Sequence, residues 1–366
     1  MIKKITLLLF IAALQMQCAQ SQSVAAYTDY LKKFRVFDAG TFMQLDYMPP
    51  QKYVVGGDYV AFISYGNMLR FYYKQQVYDL NEGAFVNKMF ASNCIFAYKM
   101  DKQLNAVYNG KPYTLTTWAD DFRVSDSLVV YRDGMQQQYY IFYKGDKIPM
   151  EDVFTIDRDI FKTMAIGKNI IAYVNSSKQL KLFYHGEFVD LRMYIPEMTF
   201  SAGLDIVCGT NSINQRFVAI ENGTLYDLEE FLPSNYQVGD GMVAYISNDN
   251  SFKVFYDGKQ KTLDNYAPAN FNVTDSVVTW IDSQNFFKVF YKGEIYTLEN
   301  YDPGKTTAAF GSVAYIDQLN HLKLFRCGKT STITMDQVKD FSLYGNVLKF
   351  VIGLDESKFF YDGTIY

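Results

Sequence analysis

Two histidines in 366 residues leave little material for the commonest acid–base and zinc chemistry. Four cysteines at wide spacings, Cys18, Cys94, Cys208 and Cys327, do not form a disulfide framework. Charge is scarce as well: 20% of residues are charged, with a net charge of −4. No basic field is therefore available for nucleic acid or an anionic membrane. The chain has no run of 18 or more apolar residues, which excludes a membrane-spanning helix.

The longest apolar stretch is Ile5 to Leu14, preceded by Lys3 and Lys4. Ten residues are too few to span a bilayer and match the apolar region of a signal peptide. Ala19, Gln20 and Ser21 put small residues at −3 and −1, so residues 1–21 read as a leader and 24–366 as the mature domain. Removal of Lys3 and Lys4 takes the net charge to −6. Anchoring as a lipoprotein through Cys18 is disfavoured, because Gln15, Met16 and Gln17 stand where a lipobox needs Leu and small residues. The expected location is periplasmic or extracellular. Cys94, Cys208 and Cys327 read as small buried hydrophobes, with a Cys94–Cys208 bridge or an intermolecular one as the alternatives.

Aromatics are abundant, with 31 Tyr and 30 Phe, and they recur on a period. Gly40, Gly110, Gly145, Gly186, Gly223, Gly258, Gly293, Gly328 and Gly363 form a column, with Gln75 in the missing place. The spacings are 35, 35, 35, 41, 37 and then 35 four times, giving ten units. Five residues after the glycine stands an aliphatic or Met, from Leu45 to Ile333. Three before it stands an apolar residue, from Phe37 to Phe360. Thirteen before it, seven units carry an aromatic, among them Tyr245, Trp280 and Tyr315.

Within one unit, Val277–Ile281, Phe286–Tyr291 and Glu294–Leu298 are short β-branched and aromatic runs separated by turn residues, and Phe271–Thr274 precedes them. The glycine reads as a hairpin position with positive φ. Four short antiparallel strands in about 35 residues make a small sheet with two apolar faces, which radial stacking would cover. The fold class is therefore all-β, a β-propeller of about ten four-stranded antiparallel blades. Runs such as Val313-Ala314-Tyr315-Ile316-Asp317, followed by Leu322-Lys323-Leu324-Phe325 and Gly328, resemble the blades of bacterial TolB-type and quinoprotein-type propellers. That resemblance implies the blade architecture and no particular ligand. A single large ring is favoured. Two five-bladed rings, split as 24–205 and 206–366, or an open array are the alternatives.

No catalytic residue emerges. His185 and His321 occupy turn slots. Asp58, Asp126, Asp205, Asp240 and Asp275 recur near the turn between first and second strands, where Asp commonly serves local hydrogen bonding. Of these, Asp205, Asp240 and Asp275 are the candidates for holding Ca²⁺ if they converge. No other cofactor is expected. A basic column, Arg35, Arg70, Lys181, Lys253, Lys288, Lys323 and Lys358, reads as side chains lying along neighbouring blades, or else as a positive ring. Trp118 with Tyr113 could stack on a sugar or a partner.

The functional expectation is an exported, non-catalytic binding or scaffold protein that presents a propeller face to a protein or glycan of the cell envelope. A calcium-dependent propeller hydrolase or lactonase and a structural envelope component are the alternatives.

Overall fold

The computed structural model describes residues 23–81, 86–153, 160–195, 199–211 and 213–366. The expected leader, residues 1–21, and Cys18 lie outside them. The described chain consists of short strands and the turns and links between them, with one 3-10 turn at Ile160–Thr163, and its strands form ten antiparallel sheets in chain order. Nine sheets have four strands, each hydrogen-bonded to the next in sequence. The first has three, Val24–Thr28, Phe34–Asp38 and Thr41–Asp46, which correspond to the second, third and fourth strands of the others. The eighth sheet is representative: Phe271–Thr274, Val277–Ile281, Phe287–Tyr291 and Glu294–Glu299. No helix among the described residues is long and apolar enough to cross a membrane.

Every member of the glycine column has positive φ, and Gln75 adopts the same conformation at φ 62°. The residue before it is left-handed too, from Ala39 through His185 and Cys327 to Asp362. Two consecutive positive-φ residues make the hairpin turn whose twist matches the flanking strands. His185 and Cys327 therefore occupy hairpin-turn positions.

The chain divides into two compact units. One comprises residues 1–137, 144–147 and 339–366, the other residues 138–143 and 148–338. In the second unit, successive sheets bury their facing surfaces against each other. Phe290 and Val278 turn toward the seventh sheet, and Val277, Val289 and Phe287 toward the ninth. In the first unit, Phe34, Val36 and Phe62 join the first sheet to the second. Ala25 and Phe37 of the first sheet join Val347 and Phe359 of the tenth. Ala25 and Phe37 hold the positions of Val278 and Phe290, and Val347 and Phe359 those of Val277 and Val289, so the last sheet precedes the first just as the seventh precedes the eighth. The column three before the glycine is buried as expected in nine sheets. In the tenth, whose fourth strand is only Thr364–Ile365, Phe360 is half-buried and Phe359 takes the closing role. Cys208 is a buried free thiol, so the Cys94–Cys208 bridge does not form.

Candidate functional site

The three carboxylates expected to converge lie in the turns between first and second strands of the sixth, seventh and eighth sheets. These turns approach so closely that side chains are excluded. A Cβ on Gly167 would fall 2.0 Å from the Gly203 carbonyl oxygen, and one on Gly203 would fall 2.0 Å from that of Gly239. Backbone bonds tie turn to turn, with Lys168 N donating to Gly203 O at 2.8 Å and Asp240 N to Asp275 O at 2.5 Å.

Asp240 and Asp275 do come together, around a cation that the sequence reading missed. Lys168 Nζ lies 2.9 Å from Asp240 and also donates to Asp275. Burial opposes the ammonium, but the two carboxylates outweigh it and hold the Lys168 pKa above its ordinary value. Asp205 stands apart, accepting from Asn169 Nδ2 at 2.7 Å with His185 Nε2 at 3.6 Å. Among the described residues, no three His, Cys, Asp or Glu side chains are grouped to hold a metal ion. The pair that a Ca²⁺ would need is engaged by a lysine.

Asp126 and Asp275 also tie sheets together. Asp126 accepts from Asn93 N and Nδ2, and Asp275 Oδ2 accepts from Phe310 N at 2.6 Å. Local capping belongs to a different column, in the turn between second and third strands. There Asp282 accepts from Gln284 and Phe286 amides, and Asp317 from Leu319 and His321 amides.

The basic column is paired. Arg35 meets Asp29 at 2.6 Å, Lys288 meets Asp282 at 2.6 Å and Lys253 meets Glu229 at 3.0 Å. Lys323 bridges Glu299 at 2.8 Å and Asp317 at 3.2 Å. In the last two cases the carboxylate ends the fourth strand of the preceding sheet, so the lysine staples neighbours and no bare positive ring results. His321 Nδ1 lies 3.4 Å from Asp317, in the turn slot expected for it.

Trp118 and Tyr113 do not form one platform. Tyr113 packs its hydroxyl end on Gly145, at the hairpin end of the blades. Trp118 follows the far end of the same strand, Lys111–Thr116, where Lys102 Nζ lies 3.5 Å over its ring and Asp120 accepts from its Nε1.

Topology sorts the surface into two ends. In a four-stranded antiparallel sheet, the turn between second and third strands lies at the same end as the link to the next sheet. Most of the large exposed apolar side chains occupy that end. Tyr30, 88% exposed, and Tyr65 are examples from turns of the first unit, and Leu319, 72% exposed, and Ile213 from turns of the second. Links contribute Tyr47 and Met48 in the first unit and Phe231 and Tyr266 in the second. Turn residues are free to be polar, so the repeated use of Tyr, Leu, Ile and Met there is a feature of the surface. The sequence reading missed these residues because loops carry no column.

None of the curated proteins matches the chain significantly. Structural neighbours are distant. The designed protein Ika8 aligns over 77% of this chain and 98% of its own, with 13% identity and a TM-score of 0.33. The tricorn protease aligns over 90% of this chain and 44% of its own, at 10% identity and 0.33. PorZ, a surface component of the type-IX secretion system of Porphyromonas gingivalis, aligns over 86% and 51%, at 9% identity and 0.30. Likeness at that level carries no functional argument. The family described as the 10-bladed beta propeller domain matches residues 18–366, nearly the whole chain. The chain therefore belongs to this ten-bladed β-propeller family, its ten sheets being the blades of a single propeller.

Proposed function

We propose that the protein is an exported, non-catalytic recognition or scaffold module. It binds a protein or glycan of the cell envelope through the end of the blades formed by the links and the turns between second and third strands. The observation that carries this reading is the concentration there of exposed Tyr, Trp, Leu, Ile and Met, the residue types that anchor contact surfaces. The opposite end supports a structural role, since its carboxylates are spent on neighbouring turns and on Lys168. A calcium-dependent hydrolase would require Asp240 and Asp275 to release that lysine.

The test is binding of the purified mature protein to envelope-protein and glycan arrays, compared with two surface variants. One is Tyr30→Ser with Tyr65→Ser, the other Ile213→Ser with Leu319→Ser. Retention of a ligand by the parent and its loss in either variant, with melting unchanged, supports the reading. Turnover of an ester or lactone panel with no ligand retained would overturn it. Export is tested by fusing residues 1–21 to a reporter active only outside the cytoplasm.

A further inference from the structure

Nine of the ten sheets begin with a strand that the first sheet lacks among the described residues. In the second sheet that strand, Lys52–Val55, pairs with Tyr59–Ile63. The pairing ends with Gly56 N donating to Tyr59 O at 3.0 Å and Gln51 N donating to Ile63 O at 2.9 Å. Val24 and Thr28 hold the places of Tyr59 and Ile63, as their registers with the third strand show. Main-chain groups alternate in direction along a strand, so Val24, Ala26 and Thr28 aim theirs at the missing strand. Val24 and Ala26 are nevertheless 1% and 0% exposed, and buried main-chain groups demand a partner.

The facing side of the tenth sheet carries a matching irregularity. Lys349 pairs in register with Phe359, at a place where other second strands hold Ala26, Ala61, Ala172, Ala244 and Ala314. It lies two residues along from Val347, whose side chain meets Ala25 and Phe37, so it shares the face turned to the first sheet. Burial lowers its pKa, and Asp340 opposes that only in part. No ion pair or side-chain hydrogen bond joins Lys349 to another group among the described residues. A half-buried amine so placed needs an acceptor from the first sheet.

We propose that residues 18–21 of this chain are the missing first strand and that Gln20 supplies the acceptor. In the seventh, eighth and ninth sheets two residues separate first from second strand: Asp240 and Gly241, Asp275 and Ser276, Phe310 and Gly311. Counted back from Val24, that turn is Gln22 and Ser23, which sets Ser21 opposite Val24, Gln20 opposite Ala25 and Ala19 opposite Ala26. Ser21 takes the small-residue place of Gly239, Thr274 and Ala309. Gln20 takes the place of Val55, Ala202, Val238 and Val273. Each of those four shares an apolar cluster with the residue of the preceding sheet that corresponds to Lys349, namely Ala26, Ala172, Cys208 and Ala244. At the closing junction both members are polar, an amide oxygen that accepts and an ammonium that donates. That complementarity favours this segment over a strand from another chain, and a second copy has its described first strands already paired. The family match also begins at residue 18. Cleavage after Ser21 would remove the strand, so any leader must end before Cys18. The strand is independent of what the blades recognise.

The full chain is produced in a bacterium with its own N-terminus, and the end of the purified protein is read by intact mass. A start at or before Cys18 is expected, and a start at Gln22 overturns the proposal. Gln20→Val is then compared by thermal melting in two backgrounds, the parent and Lys349→Ala. In the parent it leaves the amine without its acceptor and should lower the melting temperature by about 2 °C or more. With Lys349→Ala it recreates the apolar pair of the other junctions and should cause no fall. The same shift in both backgrounds, zero included, overturns the proposal. Array binding by the parent and its loss in the surface variants above are read separately, so the recognition reading stands or falls on its own.

Discussion

Phe37 and Phe359 stack face to face, their ring centroids 4.9 Å apart and their planes within 10°. They are 322 positions apart in the chain, yet they meet as adjacent blades do elsewhere. Tyr366 repeats the point. Its hydroxyl lies 3.0 Å from where a Cβ of Gly40 would be, as Tyr296 lies beside Gly328 and Tyr226 beside Gly258. The first and last blades therefore close on each other with the ordinary junction.

Replacing Phe359 by Ala should thus cost as much as replacing Phe290 by Ala, roughly 3–5 kcal/mol each, from lost burial plus the cavity left behind. Urea denaturation of both variants measures it. A cost near zero for Phe359 alone would mean that closure contributes nothing to the fold.

Two glycines separate close approach from backbone conformation. Gly203→Ala should lose about 3 kcal/mol or more, because the new Cβ collides with a carbonyl oxygen and the turns must part. Gly293→Ala meets no atom within 4 Å but must hold φ +85°, so it should lose only about 1–2 kcal/mol. Thermal melts that reverse this order would contradict the packing of the inner turns.

Lys168→Met removes the ammonium that Asp240 and Asp275 share. A loss of roughly 1–3 kcal/mol is expected near neutral pH. Adding Asp240→Asn and Asp275→Asn should restore most of it. Chemical denaturation of the single and triple variants checks this, and no recovery in the triple variant would show that the lysine acts through something other than the two carboxylates.

Tyr184 is held neutral to high pH, chiefly by burial and next by Asp205, and its pKa is pushed up to about 12. A folded value above the unfolded one, about 10, gives a stabilisation present in full below pH 10 and lost as pH rises toward 12. Stability to urea should therefore fall between pH 10 and 12 more steeply in the parent than in Tyr184→Phe. Equal pH dependence of the two proteins would refute it.

Cys327 is exposed in a hairpin turn, whereas Cys208 is fully buried and its thiol pKa is pushed far up by burial. Maleimide should label Cys327 in the native protein and Cys208 only after denaturation, as mapped by mass spectrometry. Native labelling of Cys208 would show that the sixth blade opens readily.

What the amino-acid order determined was everything that repeats. The glycine column, the apolar residues around it and the basic column are local demands, set by turn geometry and by two-faced sheets. Each unit states them again, so ten blades were legible in one dimension. What only the tertiary structure decided is what joins residues of different units at unequal spacing. Lys168 sits in the irregular stretch between Gly145 and Gly223, and nothing in its neighbourhood points to carboxylates 72 and 107 positions away. The apolar residues of the links obey no period because loops are free of the sheet's register, and only folding gathers them at one end of the blades.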